Sequence, residues 1–154
     1  MIKQISIKTK LGWISALEES GQIVKVKFGK IKNKSKSSNL KKFKKDVMDF
    51  ANGKNRLFKT KYLIKGNYIQ KKIWKELKKI NFGKTKSYGD IAKKYKLSPR
   101  YIGKICGQNK LPLIIPCHRV IRSDGSLGGF SAPGGIFFKK KLLNFEKKLA
   151  RFIH

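Results

Sequence analysis

Apolar and polar positions change their spacing along the chain, and each change predicts an element. From Met1 to about Gly29 the apolar residues come in short β-rich runs: Ile2, Ile5 and Ile7; Trp13, Ile14 and Leu17; Ile23, Val24, Val26 and Phe28. Gly12 and Gly21 punctuate them, so a three-stranded antiparallel sheet is expected. Lys30 to Asn39 is polar and reads as a loop. Leu40, Phe43, Val47 and Phe50 then recur at helical spacing, which predicts a helix ending near Gly53. Arg56 to Gly66 is a connection with a short extended run at Tyr62-Leu63-Ile64.

The second half is helical in period. Ile69, Ile73, Trp74, Leu77 and Ile80 share one face, with Trp74 as a packing anchor. Ser87 followed by Asp90 has the form of an N-cap with an acid in the first turn, and Tyr88, Ile91, Ala92 and Tyr95 follow on one side. After a break at Lys96-Leu97, Ser98-Pro99 is a cap plus a proline at the first helical position. The result is a helix-turn-helix, with Tyr101, Ile102, Ile105 and Cys106 turned to the core. At about 100° per residue, Arg100, Gly103, Lys104 and Gly107 fall together on the other face. Each helical glycine costs about 1 kcal/mol relative to alanine, so this face suits close approach of a partner such as DNA to the backbone. A last helix from Phe137 to Phe152 is expected to bury Phe138, Leu142, Phe145 and Leu149, with Glu146 on the flank. The fold class is therefore a small antiparallel sheet plus helix (α/β), residues 1–65 with the linker, followed by a mostly α C-terminal domain with a helix-turn-helix, residues 66–154.

Length and charge narrow the partners. A chain of 154 residues suits one domain, or two small ones. Its 39 Lys and Arg against 8 Asp and Glu give a formal charge of +31, a field that favours phosphate backbones. Much of this excess is dispersed lysine, and a solvated surface explains the amount of charge better than function does. No apolar stretch is long enough to span a bilayer and no signal peptide is visible, so no membrane association and a cytoplasmic location are expected. Two cysteines make no disulfide framework. Two cysteines and two histidines without zinc-site spacing predict no metal, and no cofactor is expected.

One of each of those scarce residues sits at the end of the most hydrophobic stretch, Leu111-Pro112-Leu113-Ile114-Ile115-Pro116-Cys117-His118-Arg119-Val120. A thiolate is the reactive form of cysteine, and an adjoining base or cation lowers the thiol pKa. His118 and Arg119 adjoin Cys117, and Pro116 stiffens the turn that presents it. A buried inert cysteine is the plain alternative.

Ile115-Pro116-Cys117-His118-Arg119-Val120-Ile121 and Gly125-Ser126-Leu127-Gly128-Gly129-Phe130-Ser131 resemble the O6-alkylguanine-DNA alkyltransferases. The resemblance continues upstream through Phe82-Gly83-Lys84, Ser87-Tyr88-Gly89-Asp90-Ile91-Ala92, Ser98-Pro99-Arg100 and Asn109, and covers about Ile69 to Glu146. It implies a ribonuclease H-like N-terminal domain, and a C-terminal domain that enters the minor groove of double-stranded DNA and flips out an O6-alkylguanine. It further implies stoichiometric transfer of the alkyl group to Cys117, by a protein acting as a monomer.

Residue by residue, the resemblance makes Cys117 the nucleophile, His118 its base and Glu146 the carboxylate that orients His118. Tyr88 would push on the target phosphate and feed a proton to the leaving guanine, and Arg100 would fill the gap in the duplex. Gly103, Lys104 and Ser123 complete the DNA-facing set. Asn109 would organise the turns around the cysteine. Val120 and Ser131 would contact the base through hydrogen bonds, and Phe130 would wall the pocket where relatives often carry tyrosine. Two rivals remain open on sequence: a helix-turn-helix module without chemistry, and a cysteine hydrolase that turns over.

Overall fold

A computed structural model describes residues 2–54, 57–128 and 135–151. The chain divides into two compact units, Met1–Lys65 and Gly66–His154.

The first unit is the expected sheet with its helix. Strands β1 (Ile2–Thr9), β2 (Gly12–Glu19) and β3 (Gln22–Phe28) lie in the order β1-β2-β3, each pair antiparallel. Glu19 pairs with Gln22, so the β2–β3 loop is two residues long. Both of them, Ser20 (φ 52) and Gly21 (φ 78), take the left-handed conformation that matches the twist of a tight hairpin. The inner face buries Ile7, Ile14, Ala16, Ile23, Val26 and Phe28. Against it packs helix α1 (Ser38–Ala51), through Leu40, Phe43, Val47 and Phe50. Ser37 caps α1 by accepting a hydrogen bond from the Leu40 amide at 3.0 Å. The extended run after α1 joins the sheet, with Tyr62 bridged in parallel to Ile23. Buried Asp46 fixes that run by accepting from the amides of Lys59 (2.8 Å) and Thr60 (2.9 Å) and from the Thr60 hydroxyl (2.6 Å).

The second unit is mainly helical. Helix α2 (Tyr68–Leu77) begins in a capping box between Asn67 and Gln70. Trp74 is 3% exposed, and its indole N–H donates to the Ile105 carbonyl at 3.0 Å, a packing role. A short strand β4 (Lys86–Ser87) precedes α3 (Tyr88–Tyr95) and α4 (Pro99–Gly107). Ser87 and Ser98 cap these two helices as expected, and Lys96 turns between them in the left-handed region (φ 56). A 3-10 turn, Cys117–Arg119, leads into β5 (Val120–Ile121), which pairs in parallel with β4. Helix α5 spans Gly135–Arg151.

Two packing expectations change. Tyr101 is 37% exposed instead of buried, because it lies beside Lys104 on the outer face of α4, while Ile102, Ile105 and Cys106 carry the inner face. On α5 the inward face is Gly135, Lys139, Leu142 and Glu146, and the positions of Phe138, Phe145 and Leu149 are only half-buried. Glu146 thus sits at the centre of the buried stripe, not on its flank. Apolar periodicity could not show this, since two of the four inward residues are charged.

Candidate active site

The site is built on the 3-10 turn and the inward face of α5. Cys117 (4% exposed), His118 (1%) and Arg119 (7%) are all buried, as is Glu146 (1%). A carboxylate so deep needs its acceptor sites filled. Here Oε1 accepts from the Arg119 Nε at 2.8 Å and the Gly83 amide at 3.0 Å, and Oε2 accepts from the Arg119 Nη2 at 3.1 Å. His118 Nε2 meets the same Oε2 at 2.5 Å. The remaining Arg119 arm donates to the Ile80 carbonyl at 2.8 Å. Burial opposes the charge on Glu146, but His118 and Arg119 outweigh it and hold the carboxyl at about 2.

His118 is therefore oriented by a fixed anion. Burial outweighs that anion and lowers the imidazole pKa, with Arg119 and Lys139 adding to the effect, so the ring rests neutral at pH 7. Nε2 carries the proton that faces Glu146, which leaves Nδ1 as the acceptor. Among the described residues, Nδ1 is the one buried side-chain nitrogen or oxygen without a hydrogen-bond partner within the protein. Orphans of this kind are rare in folded proteins and call for a reason.

Cys117 corrects one expectation. The thiol is not acidified at rest: burial pushes it up to about 11, although a hydrogen bond from Asn109 and the charge of Lys139 pull the other way. The field of the cations is real but too weak to offset loss of water. Any chemistry at this sulfur would need a base to remove its proton. Cys106 is free, buried and pushed up to about 12, chiefly by burial, which fits a structural role.

Asn109 organises the turn that delivers the cysteine. Its amide nitrogen donates to the Ile115 carbonyl at 2.9 Å, and its oxygen accepts from the Leu111 amide at 2.9 Å. Inside that turn Leu113 adopts a left-handed φ of 75, which costs about 1–2 kcal/mol for a side chain of this kind. Asn109 and the 2.8 Å bond from the Ile115 amide to the Leu111 carbonyl hold it there.

Tyr88 is only 8% exposed, and burial together with the fields of Cys106 and Cys117 raises its hydroxyl to about 12. Lys139, fully buried, donates to that hydroxyl at 3.0 Å and stands 5.3 Å from the ring centroid. Burial lowers the pKa of Lys139. Gly128 is required behind this ring: a Cβ there would lie 2.8 Å from Tyr88 Cε2, and its φ is +72. The structure thus brings Cys117, His118, Glu146, Asn109 and Tyr88 into one buried region, with Val120 donating its amide to the Cys117 carbonyl.

The remaining candidates are at the surface. Arg100, Lys104 and Ser123 are exposed and Gly103 is half-buried. A Cβ on Gly103 would make only ordinary contact, 3.8 Å from Tyr88, so the protein's own packing does not demand glycine there. Phe130 and Ser131 lie outside the described residues.

Three contributors escaped the sequence reading: Arg119 as the clamp on Glu146, Gly83 as a backbone donor to it, and Lys139. Lys139 had a signal, since it precedes Glu146 by seven residues and so shares its helix face. Gly83 had none in periodicity, because only its positive φ (+78) and the nearness of Ala150 Cβ, 2.8 Å from a Cβ built there, reveal the fit.

Comparison with known proteins places the chain in a family. Residues 68–148 match the family model for the DNA-binding domain of 6-O-methylguanine DNA methyltransferase. A methylated-DNA--protein-cysteine methyltransferase from Methanocaldococcus vulcanius is 51% identical over 86 residues, 56% of this chain and 52% of that protein. The chain thus spans about half the length of that curated relative. A probable methylated-DNA--protein-cysteine methyltransferase of Acanthamoeba polyphaga mimivirus is 36% identical over 147 residues, 92% of this chain and 95% of that one. The crystal structure of Mycobacterium tuberculosis OGT in complex with DNA superposes with a TM-score of 0.81 at 25% identity, covering 95% of this chain and 93% of that one. No helix among the described residues is long and apolar enough to cross a membrane. The chain belongs to the 6-O-methylguanine DNA methyltransferase family, and residues 68–148 are its DNA-binding domain.

Proposed function

We propose that this protein repairs O6-alkylguanine in double-stranded DNA by moving the alkyl group to Cys117, one event per molecule. The observation that carries the reading is the unpartnered Nδ1 of a neutral His118, next in sequence to a protonated thiol and backed by Glu146. A neutral imidazole whose outer nitrogen is fixed by a carboxylate is a competent base.

In the proposed step Nδ1 takes the Cys117 proton, directly or through a water, as Glu146 stabilises the imidazolium. The sulfur attacks the alkyl carbon in line, the S–C bond forms and the C–O6 bond breaks. The departing guanine carries the electron pair and takes a proton. Tyr88 supplies that proton, with Lys139 behind its hydroxyl to stabilise the phenolate, which regains a proton as His118 gives up the one taken from Cys117. A thioether has no easy exit, so the protein is spent.

A base inside a duplex is out of reach, so the guanine must be flipped at a cost of a few kcal/mol. In this reading α4 lies in the minor groove, Arg100 fills the gap, Gly103 lets the backbone come close, and Lys104 and Ser123 hold phosphates. The Cys117 carbonyl, already accepting from Val120, keeps a lone pair for the guanine amine, and Asn109 holds the turn. By the family resemblance, Phe130 would wall the pocket and Ser131 would donate to O6. The protein acts as a monomer on chromosomal DNA inside the cell. Intact-mass measurement after incubation with an O6-methylguanine duplex tests this. One added methyl per chain is expected; catalytic turnover, or no mass gain, overturns it.

A further inference from the structure

We propose that the lysine-rich segment Lys30–Lys36 of the first unit is a second binding surface for the phosphate backbone of duplex DNA, in addition to the helix-turn-helix. Every second residue of the segment is a lysine: Lys30, Lys32, Lys34 and Lys36, all exposed. No acidic residue occurs between Glu19 and Asp46. Among the described residues none of the four lysines has a carboxylate within ion-pair distance, whereas Lys45, Lys79, Lys86 and Lys94 do.

A basic loop is usually a solvated, moving segment; this one is fastened. Strand β1 is a sheet edge, and edges need cover. The segment supplies it. The Gln4 amide donates to the Lys34 carbonyl at 2.8 Å and the Lys34 amide returns to Gln4 at 3.0 Å. The Gln4 side chain reaches the Lys32 carbonyl at 2.6 Å, and Asn33 accepts from the Ser6 amide at 2.8 Å. The Ile31 amide donates to the Ser6 hydroxyl at 3.2 Å. These bonds use backbone and neutral side chains and leave the four ammonium groups out of the fastening. Lys30 lies over Trp13, 4.9 Å from the ring centroid. Holding the backbone that carries the cations in place before binding lowers the ordering cost when a polyanion arrives. A cluster of cations without intervening carboxylates, turning at Ser35 (φ 59), fits backbone phosphates and carries no sequence preference. DNA is the favoured polyanion because the same chain carries a DNA-binding domain. The inference does not depend on alkyl transfer.

The test is binding of the full chain to an undamaged duplex as salt is varied. Replacing the four lysines together (Lys30→Gln, Lys32→Gln, Lys34→Gln, Lys36→Gln) should reduce the slope of log K against log salt by about 2 to 4, since each phosphate contact contributes about 0.9. At low salt the affinity should fall roughly tenfold to a hundredfold. A control that removes the same charge from α1 (Lys41→Gln, Lys42→Gln, Lys44→Gln, Lys45→Gln) should change the slope by less than about 1. Lys32→Gln with Lys36→Gln alone should give about half the fourfold variant's effect, which keeps the test usable if that variant folds poorly. Equal losses in the segment and control variants would reduce the effect to net charge and overturn the proposal. So would unchanged DNA binding, or a loss confined to phosphatidylserine vesicles.

Discussion

Each unit of this protein buries carboxylates, and two of them, Asp46 and Glu146, one from each unit, are used differently. Asp46 accepts three hydrogen bonds from Lys59 and Thr60 and ties a connecting run to the sheet. Among the described residues its donors are two backbone amides and a hydroxyl. Glu146 is satisfied just as fully, but one of its donors is an imidazole whose other nitrogen has no partner. A buried network that closes on itself holds a fold. One that stops at a basic nitrogen with no protein partner, on the residue next to a cysteine, is the kind the proposed proton transfer needs.

The largest effect that would sharpen the contrast is at the nucleophile. Cys117→Ala should abolish alkyl transfer while duplex binding stays near the wild-type level, measured by mass and by electrophoretic shift. Next, Glu146→Gln should slow transfer by about a hundredfold or more, the range of a lost acid-base partner. It should also destabilise the chain by about 3 kcal/mol or more, because Arg119 is left buried without its anion. Asp46→Ala should cost about 1–3 kcal/mol through the freed Thr60 and Lys59 donors, with the rate of transfer unchanged in the folded protein. If Asp46→Ala slowed transfer as much as Glu146→Gln, the division between structural and reactive carboxylates would fail.

Acid should expose the same difference. His118 is held below its ordinary 6.5, so between the two values the unfolded chain binds a proton that the native chain does not. Stability is then lost as pH falls below about 6.5. Glu146 is held near 2 against an ordinary 4.5, so its contribution is present above 4.5 and lost as pH falls toward 2. Melting temperature should drop from pH 7 to pH 5, and His118→Gln should flatten that part of the curve. An equal drop in both proteins would remove His118 as its source.

The smallest predicted effect is the most selective. Gly103→Ala should leave the melting temperature equal or slightly higher, by up to about 1 kcal/mol of helix propensity, since its Cβ meets Tyr88 only at 3.8 Å. Affinity for duplex DNA should nonetheless fall. A variant that melts lower and binds normally would mean the glycine serves the fold instead.

These cases also show what the sequence could convey. The strands, the two capped helices and the Cys117–His118 pair were legible because period, caps and a rare residue pair are local signals. Tyr101 was misplaced because a residue at the margin of an apolar stripe is settled by neighbours, not by period. The inward face of α5 was misread since Lys139 and Glu146 look like solvent residues until their partners are known. The clamp of Arg119 and Gly83 on Glu146 joins residues far apart in the chain, and no periodicity reaches that far. The thiol pKa depended on burial, which the charges around Cys117 in the sequence cannot report.

The most direct measurement is peptide mapping of the protein after exposure to duplex DNA with a labelled O6-methyl group. The account predicts one label per chain, confined to the peptide containing Cys117, with Cys106 unmodified and no further reaction when fresh DNA is added. Label on Cys106, or continued product formation without label retained on the protein, would contradict it.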